Sequence, residues 1–219
     1  MRRFSAALLL ALVSVTAFPA ENQIGISAGA GPAFPLRGIK RLFGTGYGGT
    51  GSVDVALNDN ISLVARGGYY RWQFNNERIN RSLAAVGGET GVDIAGPFQA
   101  IPVMIGGRLA FDGDLVRPYI GLSGGACFLH WSCTGTAPRS GGVPPAGEFS
   151  SSWTEPAMSV DAGLTFVLSR SLTLDIGGIY TAFSNAEDRV EPADFIGMKI
   201  AGLNTSTFVS VQAGFTVEF

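Results

Sequence analysis

Apolar and polar residues alternate one by one along most of this chain. In the last stretch Val209, Val211, Ala213, Phe215, Val217 and Phe219 share one face, and Ser210, Gln212, Gly214, Thr216 and Glu218 share the other. The same period runs through 158–168, where Met158, Val160, Leu164 and Phe166 oppose Ser159, Asp161, Gly163 and Thr165. It recurs in Ile101, Val103, Ile105 and Leu109 against Met104, Gly106 and Arg108, and in Ile61, Leu63 and Tyr69 against Ser62, Arg66 and Gly68. A period of two marks strands with unlike faces. Eight such segments are predicted, over roughly 22–31, 47–57, 60–74, 97–111, 115–130, 154–168, 171–184 and 205–219.

The joints between them alternate in length. Asn58-Asp59, Asp112-Gly113-Asp114 and Ser169-Arg170 read as tight hairpin turns. Long polar connections lie over 32–46, 75–96, 131–153 and 185–204, lengths that are uncommon inside a compact soluble domain. Short turns at one end and long loops at the other are the asymmetry of a bacterial transmembrane barrel. The expected fold class is therefore all-β: an eight-stranded antiparallel up-and-down transmembrane β-barrel with short periplasmic turns and long extracellular loops.

The two faces decide which side meets lipid. The apolar face carries no charge until Arg71, whereas the other holds Asp54, Arg66, Arg108, Arg117, Asp161, Asp175 and Glu218. Turned inward, Met158, Phe166, Ile120 and Phe215 would crowd a lumen that eight strands barely fill. Turned outward they meet acyl chains, while closure pairs every backbone group. A charge on the lipid face costs roughly 2–4 kcal/mol at the midplane, so a clean face is expected there. Arg71 lies at the loop end of its strand, where a guanidinium can snorkel to headgroup phosphates. The seven inward charges are expected to pair as a polar plug that rigidifies the barrel, with an ion-conducting pathway as the alternative. Tyr69, Tyr180, Phe98, Phe128 and Trp131, near strand ends, are expected in interfacial girdles.

Composition agrees. Of 219 residues 31 are Gly, about twice the usual share of roughly 7%, as a tight lumen requires of its inward positions. Only 15% are charged and mean hydropathy is +0.27, which argues against a disordered chain and against nucleic acid as a partner. Residues 1–20 read as a secretory signal peptide, with Arg2 and Arg3 ahead of an apolar run and cleavage after Ala17 or Ala20. The barrel domain then spans 21–219. Without Arg2 and Arg3 the net charge moves from −2 to −4.

The chain ends FTVEF, with Phe215, Val217 and Phe219 on one face. Together with IPVMIGGRLAF, its tight turn and RPYIGLSGGA, this resembles the outer-membrane β-barrel domain family of small OmpA/OmpX-type barrels. The resemblance implies an outer-membrane location, contact with outer-membrane lipid and lipopolysaccharide, and recognition of the terminal aromatic by the barrel assembly machinery during biogenesis. No OmpA-like peptidoglycan-binding domain is expected after the last strand.

Candidate chemistry is sparse. Cys127 and Cys133 belong to an exported chain and are expected to pair as a disulfide, with reduced thiols as the alternative. With one histidine, His130, they cannot complete a zinc site unaided, so neither metal nor cofactor is expected. The G-x-G-x-x-G match from Gly44 to Gly49 leads into a strand rather than a helix, against a dinucleotide site. His130-x-Ser132 is similar to the pair used by lipid A deacylase barrels, with Glu148 or Glu155 as the third member. Cys133-Thr134 stands where that family has Asn-Ala. Arg37, Lys40 and Arg41, interleaved with Phe34, Leu36, Ile39, Leu42 and Phe43, could bind an anionic partner. Glu187, Asp188, Glu191 and Asp194 make the fourth loop acidic. The function expected is a non-enzymatic, surface-exposed role in envelope integrity, adhesion or host contact through the extracellular loops, with the protein a monomer. A narrow OmpW-like channel for ions or small apolar solutes is the alternative, and a deacylase-like enzyme the lesser one.

Overall fold

The computed structural model describes residues 23–37, 39–85, 91, 93–136, 146–184 and 205–219. The signal-peptide expectation and the acidic fourth loop lie outside them. In chain order the elements are β1 (Ile24–Arg37), a 3-10 turn (Ile39–Arg41), β2 (Gly46–Ala56), β3 (Ile61–Gln73) and helix α1 (Asn76–Ala85). There follow β4 (Asp93–Ala95), β5 (Pro97–Ala110), β6 (Val116–Thr136), β7 (Ala146–Val167), β8 (Leu172–Ser184) and β9 (Thr205–Glu218). All the pairings are antiparallel, and β9 returns to β1 from Gly25↔Glu218 to Arg37↔Thr207. The eight long strands thus close into a barrel, which leaves no open edge in the wall.

Partners followed once around the wall lead from Ile24 through Val55, Leu63, Gly107, Leu122, Val160, Tyr180 and Val209 to Phe34. The stagger from Ile24 to Phe34 tilts the strands. A row of paired residues therefore climbs toward the loop end as it passes from β1 to β9.

Three of the strands, β1, β6 and β7, reach further at the loop end than their alternation predicts. β1 continues to Arg37, and β6 pairs with β7 as far as Thr136↔Ala146. Much of the expected third loop is thus paired strand. Its period of two persists, but with the apolar side turned inward: Leu129, Trp131 and Cys133 are buried while His130 and Ser132 alternate with them on the outside. The second connection holds α1, whose first turn is capped by Asn75 Oδ1 accepting from the Arg78 N–H at 3.0 Å. β4 then keeps the register of β5 against β6, with Ala95↔Thr134 followed by Phe98↔Trp131. Gly96 joins the two at a φ of 140°, and a Cβ there would stand 2.1 Å from the Ser132 carbonyl oxygen.

Two cores fill the lumen at different heights. Toward the turn end it is polar, as the alternation implies. Toward the loop end it is apolar, with Ala33, Tyr70, Trp72, Phe98, Trp131, Phe183 and Phe208 buried in one cluster. Tyr70 and Phe208 rings lie 4.6 Å apart, Trp72 and Phe208 5.0 Å, and Phe43 and Phe98 5.1 Å. Phe98 and Trp131 are therefore not girdle residues. Each is in phase with the inward positions of its strand, Ala100 and Met104 for one, Cys127 and Leu129 for the other. Tyr69, Tyr180 and Phe128 face outward as expected. The first loop closes the mouth: Ile39, Leu42 and Phe43 turn into the cluster, and Arg78 donates to the Lys40 and Phe43 carbonyls at 3.2 Å each.

Candidate functional site

At the turn-end level Arg66 of β3 reaches across the lumen to Asp161 of β7. Its two terminal nitrogens donate to the two carboxylate oxygens at 3.1 and 3.0 Å, the bidentate geometry that suits a guanidinium. These side chains retain 8% and 3% of their exposure. Arg108 of β5 lies 3.4 Å from Asp54 and 3.7 Å from Asp161, and its guanidinium sits 4.5 Å above the Tyr119 ring. Asp175 is held differently, accepting from the Thr165 and Thr216 hydroxyls at 2.5 Å each. Tyr119 has room because Gly163 and Gly177 pass close to its hydroxyl; a Cβ at either would approach within 2.7 or 2.5 Å.

Above this cluster a neutral layer separates it from the aromatic plug. Thr50 donates to Gln212 Oε1 at 2.7 Å, and Gln212 Nε2 donates to the Tyr70 hydroxyl at 3.0 Å. The cavity left between Arg66, Arg108, Tyr119, Asp161, Asp175 and Gln212 measures about 50 Å³. That holds a few waters. The buried aromatic cluster lies above it.

The structure brings five of the seven expected lumen charges together: Asp54, Arg66, Arg108, Asp161 and Asp175. Arg117 is corrected. Its parity is inward, but it sits at the rim, exposed, donating from Nε to the Gly113 carbonyl at 3.0 Å. Glu218, half-buried opposite Gly25 on the last rung, is in none of the ion pairs among the described residues. The terminal Phe219 is zipped to β1, its N–H donating to the Ile24 carbonyl at 2.9 Å, and Phe215, Val217 and Phe219 all face outward.

The expected disulfide is absent: Cys127 and Cys133 are both free and buried. They lie on the same face of β6, six residues apart, which at ~3.3 Å per residue is about 20 Å. A disulfide needs Cα atoms within about 7 Å. The His130–Ser132 pair is not assembled either. His130 Nδ1 shares a 2.7 Å hydrogen bond with Ser152 Oγ across the β6–β7 ladder, because a residue's neighbour in a sheet is its cross-strand partner. Ser132 faces Ser150 instead. Glu155 points into the lumen and is buried, on the opposite side of the wall from His130. Glu148 pairs with Thr134 along the backbone, and its side chain lies outside the described residues. In the first loop Arg37 and Lys40 are exposed, whereas the Arg41 side chain is outside the description. Of the apolar residues interleaved with them, Ile39, Leu42 and Phe43 are spent on the plug, while Phe34 and Leu36 stand exposed.

The outer wall is the decisive surface. Ile26, Val53, Ile105, Leu122, Met158, Val160, Ile176 and Phe215 all stand exposed on it, and among the described outward strand positions below Arg71 none is charged. Such a wall is stable only against hydrocarbon. This is a transmembrane β-barrel. Single-chain barrels with an even strand number and an apolar belt belong to bacterial outer membranes, and the chain is a surface barrel of that kind.

Comparison of the sequence with family models and with curated proteins finds no match. Among solved structures the barrel is similar to Ail, the attachment invasion locus protein of Yersinia pestis, in complex with the heparin analogue sucrose octasulfate. The two are 15% identical over 91% of this chain and 99% of that one, with a TM-score of 0.49. It is similar to Neisserial surface protein A at 15% identity, 90% and 97% coverage and a TM-score of 0.45. For the outer membrane protein OprG of Pseudomonas aeruginosa the values are 11%, 90% and 96%, and 0.47.

Sequence reasoning missed the aromatic plug, the Gln212–Tyr70 layer, the hydroxyl clamp on Asp175 and the partner of His130. The plug had a signal: the even-numbered inward series of β5 and β3 carries Phe98, Tyr70 and Trp72 in phase with Met104 and Arg66.

Proposed function

We propose that the protein is a non-enzymatic surface barrel that contributes to envelope integrity, adhesion or host contact through its loop end. The observation that carries this reading is the double closure of the lumen. Ion-paired side chains cross it at one level and packed rings fill it at the next. A transport role needs a path through both. The extended β6–β7 hairpin supports the same reading. A tilted strand needs about 9–11 residues to cross the hydrocarbon, whereas β6 has 21 and β7 has 22, so the pair projects well past the bilayer as a surface for contact. The enzyme alternative loses support from the wrong serine and the inward Glu155.

Planar-bilayer recording of the purified barrel is the test. The expected result is a quiet baseline at moderate voltage. Steady single-channel steps would replace this reading with the narrow-channel one. Unchanged acyl composition of lipid A on expression is the second expected outcome; a loss of acyl chains abolished by His130→Ala would restore the enzyme reading.

A further inference from the structure

On the outside of the barrel, one row of cross-strand partners breaks the apolar pattern. Tyr47 of β2 pairs with Arg71 of β3, Arg71 with Gln99 of β5, Gln99 with His130 of β6, and His130 with Ser152 of β7. Directly opposed side chains on one sheet face have Cβ atoms about 4.5–5.5 Å apart, so the five form a continuous polar track. One rung nearer the turns, Gly49 pairs with Tyr69 and Ile101 pairs with Phe128, which is belt. Because the strands tilt, the track leaves the belt edge at Arg71 and climbs away from it toward Ser152.

Arg71 is the only charged residue on the outward strand face at that edge among the described residues; Arg37 stands past the bulge of β1 and above it. Its Nε is shielded from solvent and has no hydrogen-bond partner in the protein. His130 offers Nδ1 to Ser152 at 2.7 Å, which leaves Nε2 as the ring nitrogen for a ligand. Gln99, between them, is half-buried. No carboxylate stands on this track. A row of donors with one guanidinium, placed where hydrocarbon gives way to headgroups, suits a phosphate ester. A guanidinium half-sunk at that depth needs an anion that is anchored there too.

We infer that Arg71, Gln99 and His130 form a binding site for the phosphorylated headgroup of a lipid in the leaflet at the loop end of the barrel. Arg71 supplies the charge and the fork, and Gln99 and His130 supply neutral or charge-assisted donors above it. The lipid's acyl chains lie along the belt beneath, against Tyr69, Ile101 and Phe128. This rests on the reading of the wall as lipid-facing, and deepens it by naming the headgroup chemistry and the residues that read it.

The experiment uses the full barrel in phosphatidylcholine nanodiscs, with and without added phosphatidic acid, whose headgroup is a phosphate monoester. Native mass spectrometry after detergent extraction counts the retained lipid. The wild-type barrel is expected to retain phosphatidic acid over phosphatidylcholine by about tenfold, the scale of a charge-assisted bond. Arg71→Gln is expected to abolish the preference, Arg71→Lys to keep part of it, and Arg117→Gln, at the other rim, to leave it unchanged. Equal retention of the two lipids by the wild type, or an undiminished preference in Arg71→Gln, would overturn the site. Displacement of the lipid by matched inorganic phosphate would overturn the lipid as its ligand in favour of an adventitious anion. Heat-dependent gel migration of each variant in phosphatidylcholine alone reports folding separately. A barrel that fails there overturns the membrane reading itself, whereas one that folds without lipid preference overturns only the site.

Discussion

Arg66 carries more of the barrel's specification than its single charge suggests. It links β3 to β7 across the lumen, and its partner Asp161 is also approached by Arg108. Removing one member of a buried pair strands the other, at about 3–5 kcal/mol, whereas removing both together costs much less. Arg66→Met and Asp161→Asn are each expected to lose that much in denaturant unfolding from detergent micelles, and the double variant far less than the sum. Additive losses in the cycle would mean that the two charges do not act as a pair. Arg66, Arg108, Asp54 and Asp161 were legible in the sequence because they interrupt a strictly alternating pattern with charge. Arg117 has the same parity and was misassigned, since parity gives the face but not the depth. Cys127 and Cys133 were misjudged for a related reason. With β6 expected to end at residue 130, Cys133 lay in a loop free to fold back; on a strand running to Thr136 the two thiols are held apart.

At the scale of elements, five of the eight long strands were readable to both ends, whereas β1, β6 and β7 were readable only in their lower parts. Below the mouth, apolar means outward, so alternation and burial agree. Above the belt the rule inverts, because the outside meets headgroups and water while the inside is packed with Tyr70, Trp72, Phe98 and Trp131. A strand crossing that boundary looks like a strand ending, which is why β6 and β7 were cut short. The upper hairpin is expected to be an addition to the barrel rather than a condition of it. Replacing residues 134–148 by a two-residue turn between Cys133 and Phe149 keeps Trp131 and Trp153 in the plug. The shortened protein is expected to retain the heat-dependent gel migration of a folded barrel; loss of that shift would make the hairpin part of the folding core. The joint between β4 and β5 is less forgiving. Gly96→Ala places a Cβ against the Ser132 carbonyl at a φ that L residues seldom adopt, a cost of about 1–3 kcal/mol. Asp93–Ala95 is expected to detach, exchanging its amide hydrogens quickly while β5 stays protected. Unchanged protection there would show that the bend tolerates a side chain.

For the whole molecule the two lumen levels act in series, and a path opens only when both are breached. The rings of the upper level are held by packing, with Trp72 also donating from Nε1 to the Ala33 carbonyl at 3.1 Å. The lower level is held by charge, and the layer through Gln212 ties one to the other. Trp72→Ala removes the largest fully buried side chain among the described residues and is expected to cost about 3–5 kcal/mol, yet the Arg66–Asp161 strut still spans the lumen beneath it. Removing the strut through Arg66→Ala and Asp161→Ala leaves the rings in place above. Neither set alone is expected to conduct in planar bilayers, and the combination is expected to give discrete ion steps. Conductance from the strut variants alone would mean that the aromatic level leaks, and the upper core would then be a gate rather than a seal. Conductance from Trp72→Ala alone would assign the seal to the rings and leave the ion pairs the narrower task of holding the wall in shape.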